Sequence, residues 1–187
     1  MAPRMKEKFN QEVTPKVAEQ FGIKNKLALP RIEKIVVNVG MGKELDGTKV
    51  KAHVREQVLD DLGRITGQKA MAVSARKSVS NFKVREGYET HAMVTVRGPR
   101  MWELFDRVFS MAVPRVKDFR GLSDTSFDKA GNYSFGVTEQ GIFPEINMAE
   151  AKYSHGMNFN IVFRNSDAEK SRFVLREMGV PFKRDDD

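Results

Sequence analysis

A chain of 187 residues without one cysteine holds no disulfide, zinc–thiolate centre or thiol nucleophile. Its 40% hydrophobic content can build the core of one domain, and 32 Lys and Arg against 25 Asp and Glu leave a net charge of +7, a balance that favours a polyanionic partner. No apolar run approaches the roughly 20 residues of a membrane-spanning helix, so no membrane partner is expected.

The opening residues lack an apolar signal core and carry Glu7 and Glu12, so no export or transit signal is expected. Phe9, Val13, Val17 and Phe21 recur every fourth residue and predict an amphipathic helix over 1–22. Pro15 should kink it, or follow Thr14 as the first position of a second start, and Gly22 stops it. Arg31 to Val39 alternates as a strand, with Ile35, Val37 and Val39 on one face and Asn38 on the other. Gly40-Met41-Gly42 turns the chain, a tight turn expected to hold Met41 against something flat. Val50, Val54, Val58, Leu62 and Ile65 form a helical stripe ended by Gly67. Lys69 to Ser74 and Thr90 to Arg97 read as strands joined by an exposed loop at 75–87. Pro99 opens a helix bearing Trp102, Phe105, Val108, Phe109 and Ala112, which Pro114 ends. Phe119 to Gly141 is rich in Gly, Asp and Ser, with one strand at Tyr133 to Val137, and Asn158 to Arg164 is a further strand. Ser166 and Glu169 form a capping box for a last helix through Met178; Pro181 closes it, and 183–187 is a frayed tail.

These elements predict an α+β fold spanning 1–187 as a single domain. It has one mostly antiparallel sheet, helices packed on one face and a long basic loop. The other sheet face is left for a partner, and strand parity or strand edges place Asn38, Gln68 and Thr95 near it. The 75–87 loop concentrates Arg76, Lys77, Lys83 and Arg85 among Ser78, Asn81 and Phe82. Cations for phosphates, hydroxyls and an amide for hydrogen bonds, and a ring for stacking suit an RNA backbone better than a plain connection. Gly40-Met41-Gly42-Lys43 lacks the third glycine of a dinucleotide fingerprint, so no cofactor and no small-molecule substrate are expected. His53, His91 and His155 have no metal-ligand spacing, and Asp60, Asp61, Asp124 and Asp128 read as solvated or capping acids. The residues leave three readings open: a structural RNA-binding protein, an RNA-processing enzyme using Asp124 and Asp128, and a general basic RNA binder.

Several ordered segments bear a family resemblance: Asn38-Val-Gly40-Met-Gly42, Ile65-Thr-Gly-Gln-Lys69, Ala75-Arg-Lys-Ser-Val79, Phe82-Lys-Val-Arg-Glu-Gly87 and Val94-Thr-Val-Arg-Gly98. Pro114-Arg-Val-Lys-Asp-Phe-Arg-Gly121, Ser126-Phe-Asp128, Gly131-Asn-Tyr-Ser-Phe-Gly136 and Phe143-Pro-Glu-Ile146 continue it. From about Phe9 to Phe182 the chain resembles bacterial large-subunit ribosomal protein five, the 5S rRNA-binding family of the central protuberance. It departs from the family at Pro15, Glu89-Thr90-His91 and Phe163-Arg164-Asn165.

The resemblance implies a non-enzymatic protein of the cytoplasmic ribosome. It assigns 5S rRNA to Asn38, Gly40, Met41, Gly42, Lys43, Gln68, Lys69, Thr95 and Arg97. It assigns the P-site tRNA to Arg76, Lys77, Ser78, Asn81, Phe82, Lys83 and Arg85. The 118–146 region would face the small subunit, with Arg115, Asp118, Arg120, Phe143 and Glu145 in a bridge to small-subunit protein thirteen. Further implied partners are 23S rRNA and large-subunit proteins eighteen and twenty-five; no metal is implied.

Overall fold

The structure, a computed structural model, describes residues 2–183. Of the tail expected over 183–187, all but Lys183 lies outside the described residues. The architecture is α+β. A five-stranded, mostly antiparallel sheet is built from β1 (Arg31–Gly40), β4 (Met71–Ser74), β5 (Glu89–Val96), β6 (Tyr133–Val137) and β7 (Met157–Arg164), in the order β4-β5-β1-β7-β6. A separate two-stranded hairpin pairs β2 (Leu45–Asp46) with β3 (Lys49–Val50). The chain divides into two compact units, one of residues 1–35, 96–135 and 159–187, the other of 36–95 and 136–158.

In the first unit, the N-terminal helix is interrupted as Pro15 requires, though by widening rather than by a fresh start. α1 (Arg4–Lys8) passes through a π turn at Phe9–Val13 into α2 (Thr14–Gln20). Thr14 Oγ1 donates to the Phe9 carbonyl at 2.8 Å. A proline ring clashes with the carbonyl four residues back, and a π turn placed just before it opens that space. The same device recurs in the next long helix. α4 (Gly98–Arg107) runs into a π turn at Val108–Ala112, and Pro114 follows within a 3₁₀ turn. Rings connect these helices to the sheet: Phe9 to Trp102, Trp102 to Phe105, Phe105 to Phe109, Phe109 to Phe135, and Phe135 stacked on Phe159 at 5.2 Å. α5 (Ala168–Met178) corrects the predicted capping box. Asp167, not Ser166, is the N-cap, its carboxylate accepting the Lys170 N–H at 2.9 Å. Ser166 Oγ instead lies 2.7 Å from Ser171 Oγ.

The second unit is organised by α3 (Ala52–Thr66), whose Val54, Val58, Leu62 and Ile65 are wholly buried. Val50, expected in that stripe, belongs to β3 instead, because Asp46-Gly47 turns the chain into a hairpin first. Val37 and Val39 of β1 and Ala92 and Val94 of β5 are buried with the helix stripe. Val36, Asn38, His91, Met93 and Thr95, of opposite parity, are half-exposed. Gly67 ends α3 at φ +65°, the left-handed position that glycine takes without steric cost.

Candidate nucleic-acid interface

The half-exposed sheet face of the second unit carries no Asp, Glu, Lys or Arg over Val36, Asn38, Met71, Val73, His91, Met93 and Thr95. Asn38 sits there by β1 parity. Gln68 reaches the same strand end from the α3–β4 connection: the left-handed Gly67 redirects the chain, Thr66 Oγ1 donates to the Leu62 carbonyl at 2.6 Å, and Gln68 Nε2 donates to the Thr95 carbonyl at 3.2 Å. Gln68 and Thr95, far apart in sequence, are therefore neighbours. Gly40, Gly42, Lys43 and Lys69 are exposed. Met41 is not: its side chain is 0% exposed and its N–H donates to the Thr90 carbonyl at 3.0 Å. The turn folds the thioether into the core, which corrects a direct side-chain contact of Met41 with RNA to a supporting role beneath the turn. Arg97 belongs to the first unit and is exposed, 3.1 Å from Glu33. Such a solvent-screened pair contributes at most about 1 kcal/mol and leaves the guanidinium able to exchange partners.

The 75–87 segment is an ordered hairpin. At its base the Ala75 N–H donates to the Tyr88 carbonyl at 2.8 Å and the Gly87 N–H to the Ala75 carbonyl at 3.0 Å. At its tip Val79 and Val84 exchange both backbone hydrogen bonds, at 2.9 and 3.1 Å. A 3₁₀ turn at Ser80–Phe82 closes the end, with Lys83 left-handed at φ +53°. Ser78 Oγ accepts the Glu86 N–H at 3.0 Å, so this hydroxyl helps shape the hairpin. Arg76, Lys77, Lys83 and Arg85 are exposed and form no ion pair among the described residues, while Phe82 is 73% exposed at the tip beside Asn81. Outward-facing cations and one ring, carried on a hydrogen-bonded hairpin, have the chemistry to meet a phosphate backbone.

Of the residues grouped for an intersubunit bridge, Arg115, Asp118 and Arg120 are exposed in the first unit, Asp118 with φ +53°. Phe143 and Glu145 fall in the second. Phe143 is 1% exposed, so the expectation that its ring meets a partner is corrected to a core role. Glu145 is half-buried.

Asp128 and Asp61 are each tied into the local structure. Asp128 closes its own turn: Oδ2 accepts the Asn132 amide at 2.7 Å, and Oδ1 accepts the backbone N–H groups of Asn132 and Ala130 at 2.7 and 2.9 Å. The Asn132 side chain, with those backbone donors, holds this carboxyl below the usual carboxylate range. Asp61, read from sequence as a solvated or capping acid, is buried with His155, Oδ2 to Nε2 at 3.1 Å. Around them Gln57 Oε1 accepts the N–H groups of Lys152 and Tyr153, each at 3.0 Å. Gln140, wholly buried, accepts the His155 N–H at 2.8 Å and donates to the Tyr153 carbonyl at 2.8 Å. Sequence reasoning missed this network, which pins the irregular 138–156 segment onto α3; two glutamines and a histidine in polar stretches were its only signal. Among the described residues, no cluster of three or more His, Asp or Glu could hold a metal, and no helix is long and apolar enough to cross a membrane.

Two family models match the chain consecutively: that of ribosomal protein L5 over residues 25–85, and that of the C-terminus of the same ribosomal family over residues 89–182. Large ribosomal subunit protein uL5 of Acidobacterium capsulatum is 45% identical over 183 residues, covering 98% of this chain and 98% of its own. The uL5 protein of Anaeromyxobacter sp. strain Fw109-5 is 43% identical, covering 98% of this chain and 99% of its own. That of Rubrobacter xylanophilus is 46% identical over 180 residues, 96% of this chain and 98% of its own. With both models matched in order and identity of this level along nearly the whole length, the chain belongs to the ribosomal protein L5 family.

Proposed function

We propose that this protein binds 5S rRNA through the half-exposed sheet face of its second unit and helps attach that RNA in the central protuberance. Family membership makes it a structural constituent of the large subunit of the cytoplasmic ribosome, not an enzyme. The observation that carries the finer reading is the placement of Gln68 beside Thr95 at a sheet face free of Asp, Glu, Lys and Arg, with Asn38 at matching parity. Their amide and hydroxyl groups would hydrogen-bond sugar and base edges, with Lys43 and Lys69 neutralising phosphates near them; Arg97, in the first unit, would be a further phosphate contact. The Gly40–Gly42 turn would bring its backbone close to the RNA, Met41 supporting it from within.

The hairpin supplies a second contact. Arg76, Lys77, Lys83 and Arg85, with Ser78, Asn81 and Phe82, would hold P-site tRNA by charge and shape, which suits a ligand that must be accepted whatever its sequence and then released. Exposed Arg115, Asp118 and Arg120 of the first unit would contribute to a bridge towards small-subunit protein thirteen, and Glu145 of the second unit would be a separate contribution to it. 23S rRNA and large-subunit proteins eighteen and twenty-five complete the proposed surroundings.

The deciding experiment is competition between 5S rRNA and an unrelated structured RNA at about 0.2 M salt, combined with a salt titration whose slope counts the phosphates neutralised. Retained preference for 5S rRNA supports the reading. Equal loss of both complexes would reduce the protein to a general basic RNA binder.

A further inference from the structure

At the root of the basic hairpin, within the second unit, lies an open cavity of about 340 Å³ lined by Lys49, Val50, Ser74, Gly87, Tyr88 and Glu89. Its size is at the small end of the range of about 300–1,000 Å³ for ligand pockets. The chemistry of the lining is selective. The Lys49 ammonium lies 5.2 Å from the centre of the Tyr88 ring and forms no ion pair among the described residues. Glu89, the acid of the lining, is held in a two-pronged ion pair by Arg55, Nη2 to Oε1 at 3.0 Å and Nε to Oε2, so its charge is neutralised from within the unit. What remains is the Lys49 ammonium, the Tyr88 ring face and the exposed Ser74 on strand β4, beside a hairpin whose other cations draw in polyanions. An apolar small molecule finds little here to bury against. A flat, singly charged group finds each partner it needs.

We propose that this cavity is a subsite for a single unstacked nucleotide of a bound RNA strand: the base lies on the Tyr88 ring, the phosphate takes the Lys49 ammonium, and Ser74 Oγ meets the sugar or base edge. The inference deepens the RNA-binding reading given above and rests on it. In the free protein Lys49 stands over the ring by cation–π attraction and keeps the site charged; on binding it moves to the phosphate, where its attraction is stronger. The half-open shape lets a nucleotide of a continuous strand enter sideways. Base–aromatic stacking tolerates any base, so the site adds grip without sequence choice.

The test uses the full chain, ¹⁵N-labelled, with single-stranded oligoadenylate as probe and adenosine monophosphate as the free-nucleotide arm. Oligoadenylate is expected to shift the backbone amide signals of Gly87, Tyr88 and Ser74. Tyr88→Leu should weaken oligoadenylate binding about tenfold and Lys49→Gln about threefold, while Tyr88→Phe, which keeps the ring, stays within about twofold of wild type. Lys49 is exposed, so its variant decides the matter even if Tyr88→Leu loses the fold. Unmoved signals at these positions, or Lys49→Gln binding as wild type does, overturns the subsite. Adenosine monophosphate binding as tightly as the oligomer also overturns it, because the cavity would then serve a free nucleotide. None of these readouts involves 5S rRNA, so the subsite can fail while the 5S preference stands, and the 5S competition can fail while the subsite stands.

Discussion

Gln68 Nε2 donates to the main-chain carbonyl of Thr95 at 3.2 Å, which fixes the Gln68 amide beside a hydroxyl that β5 presents at the half-exposed sheet face. One amide N–H is used internally, leaving Oε1, the second N–H and the Thr95 hydroxyl for a ligand. Thr95→Val keeps the shape and removes the hydroxyl; Asn38→Ala removes an amide at the same parity. Each is expected to weaken 5S rRNA binding by about 1–3 kcal/mol, on the scale of one base-edge interaction, with the thermal midpoint unchanged. Filter binding at fixed salt checks this, and undiminished affinity in both variants would remove the sheet face from the interface.

The hairpin predicts a separable effect. Arg76→Gln with Lys77→Gln removes two exposed cations and no internal hydrogen bond, so the fold and 5S rRNA affinity should stay as they are, while binding of deacylated tRNA by assembled ribosomes weakens. If these cations neutralise tRNA phosphates as proposed, the tRNA salt dependence should also become shallower, by about 0.9 in slope for each duplex phosphate no longer neutralised. A collapse of 5S affinity in this variant would show that one surface serves both RNAs.

Much of the scaffold was legible because its signals are local. Ile35, Val37 and Val39 alternate as a half-buried strand must, and Gly67 stops α3 as a left-handed C′ glycine does. The α5 cap was displaced by one residue because Ser166 and Asp167 can both cap, and only the chain's approach to the helix chooses between them. The 75–87 segment was legible as exposed and basic, but not as a hairpin, since the Val79–Val84 bridge has no alternating pattern around it. Met41 and Phe143 were misplaced for one reason: in an irregular segment sequence gives no parity, so a buried side chain looks like a presented one. The Asp61–His155 pair depends on elements 94 residues apart and has no spacing to read.

That pair makes its own prediction. Asp61→Ala leaves His155 Nε2 and part of the Gln57 amide without an acceptor in a buried site, and is expected to cost about 3 kcal/mol in urea unfolding. A double-mutant cycle with His155→Ala should return a coupling of about 1–3 kcal/mol. Additive losses would mean that the two side chains only fill space.

Tyr133 predicts alkaline behaviour. Its ring is wholly buried and its hydroxyl donates to the Ser123 carbonyl at 2.7 Å; burial, with the nearby charge of Asp124, pushes its pKa up to about 12. The folded-state value lies above the unfolded one. The contribution of this group to stability is therefore complete below about pH 10 and is lost as the pH rises towards 12. Tyrosinate absorbance should show a last ionisation near that value that disappears in Tyr133→Phe. A final ionisation close to 10 in the wild type would contradict the burial argument.

Two glycines predict opposite outcomes for the same substitution. Gly131 has φ +77°, and a Cβ there would stand 2.6 Å from the Asp167 carbonyl oxygen and 2.7 Å from its carbon, backbone atoms of the segment that caps α5. Strain and overlap act together, so Gly131→Ala should destabilise by about 2–3 kcal/mol. Gly63 lies inside α3, and a Cβ there meets nothing nearer than the Gln68 carbonyl oxygen at 4.0 Å. Gly63→Ala removes unfolded-state freedom at no steric cost and should stabilise by about 0.5–1 kcal/mol. Urea midpoints with equal slopes decide both. Stabilisation by Gly131→Ala would mean that the 128–132 turn and the start of α5 do not approach as closely as described.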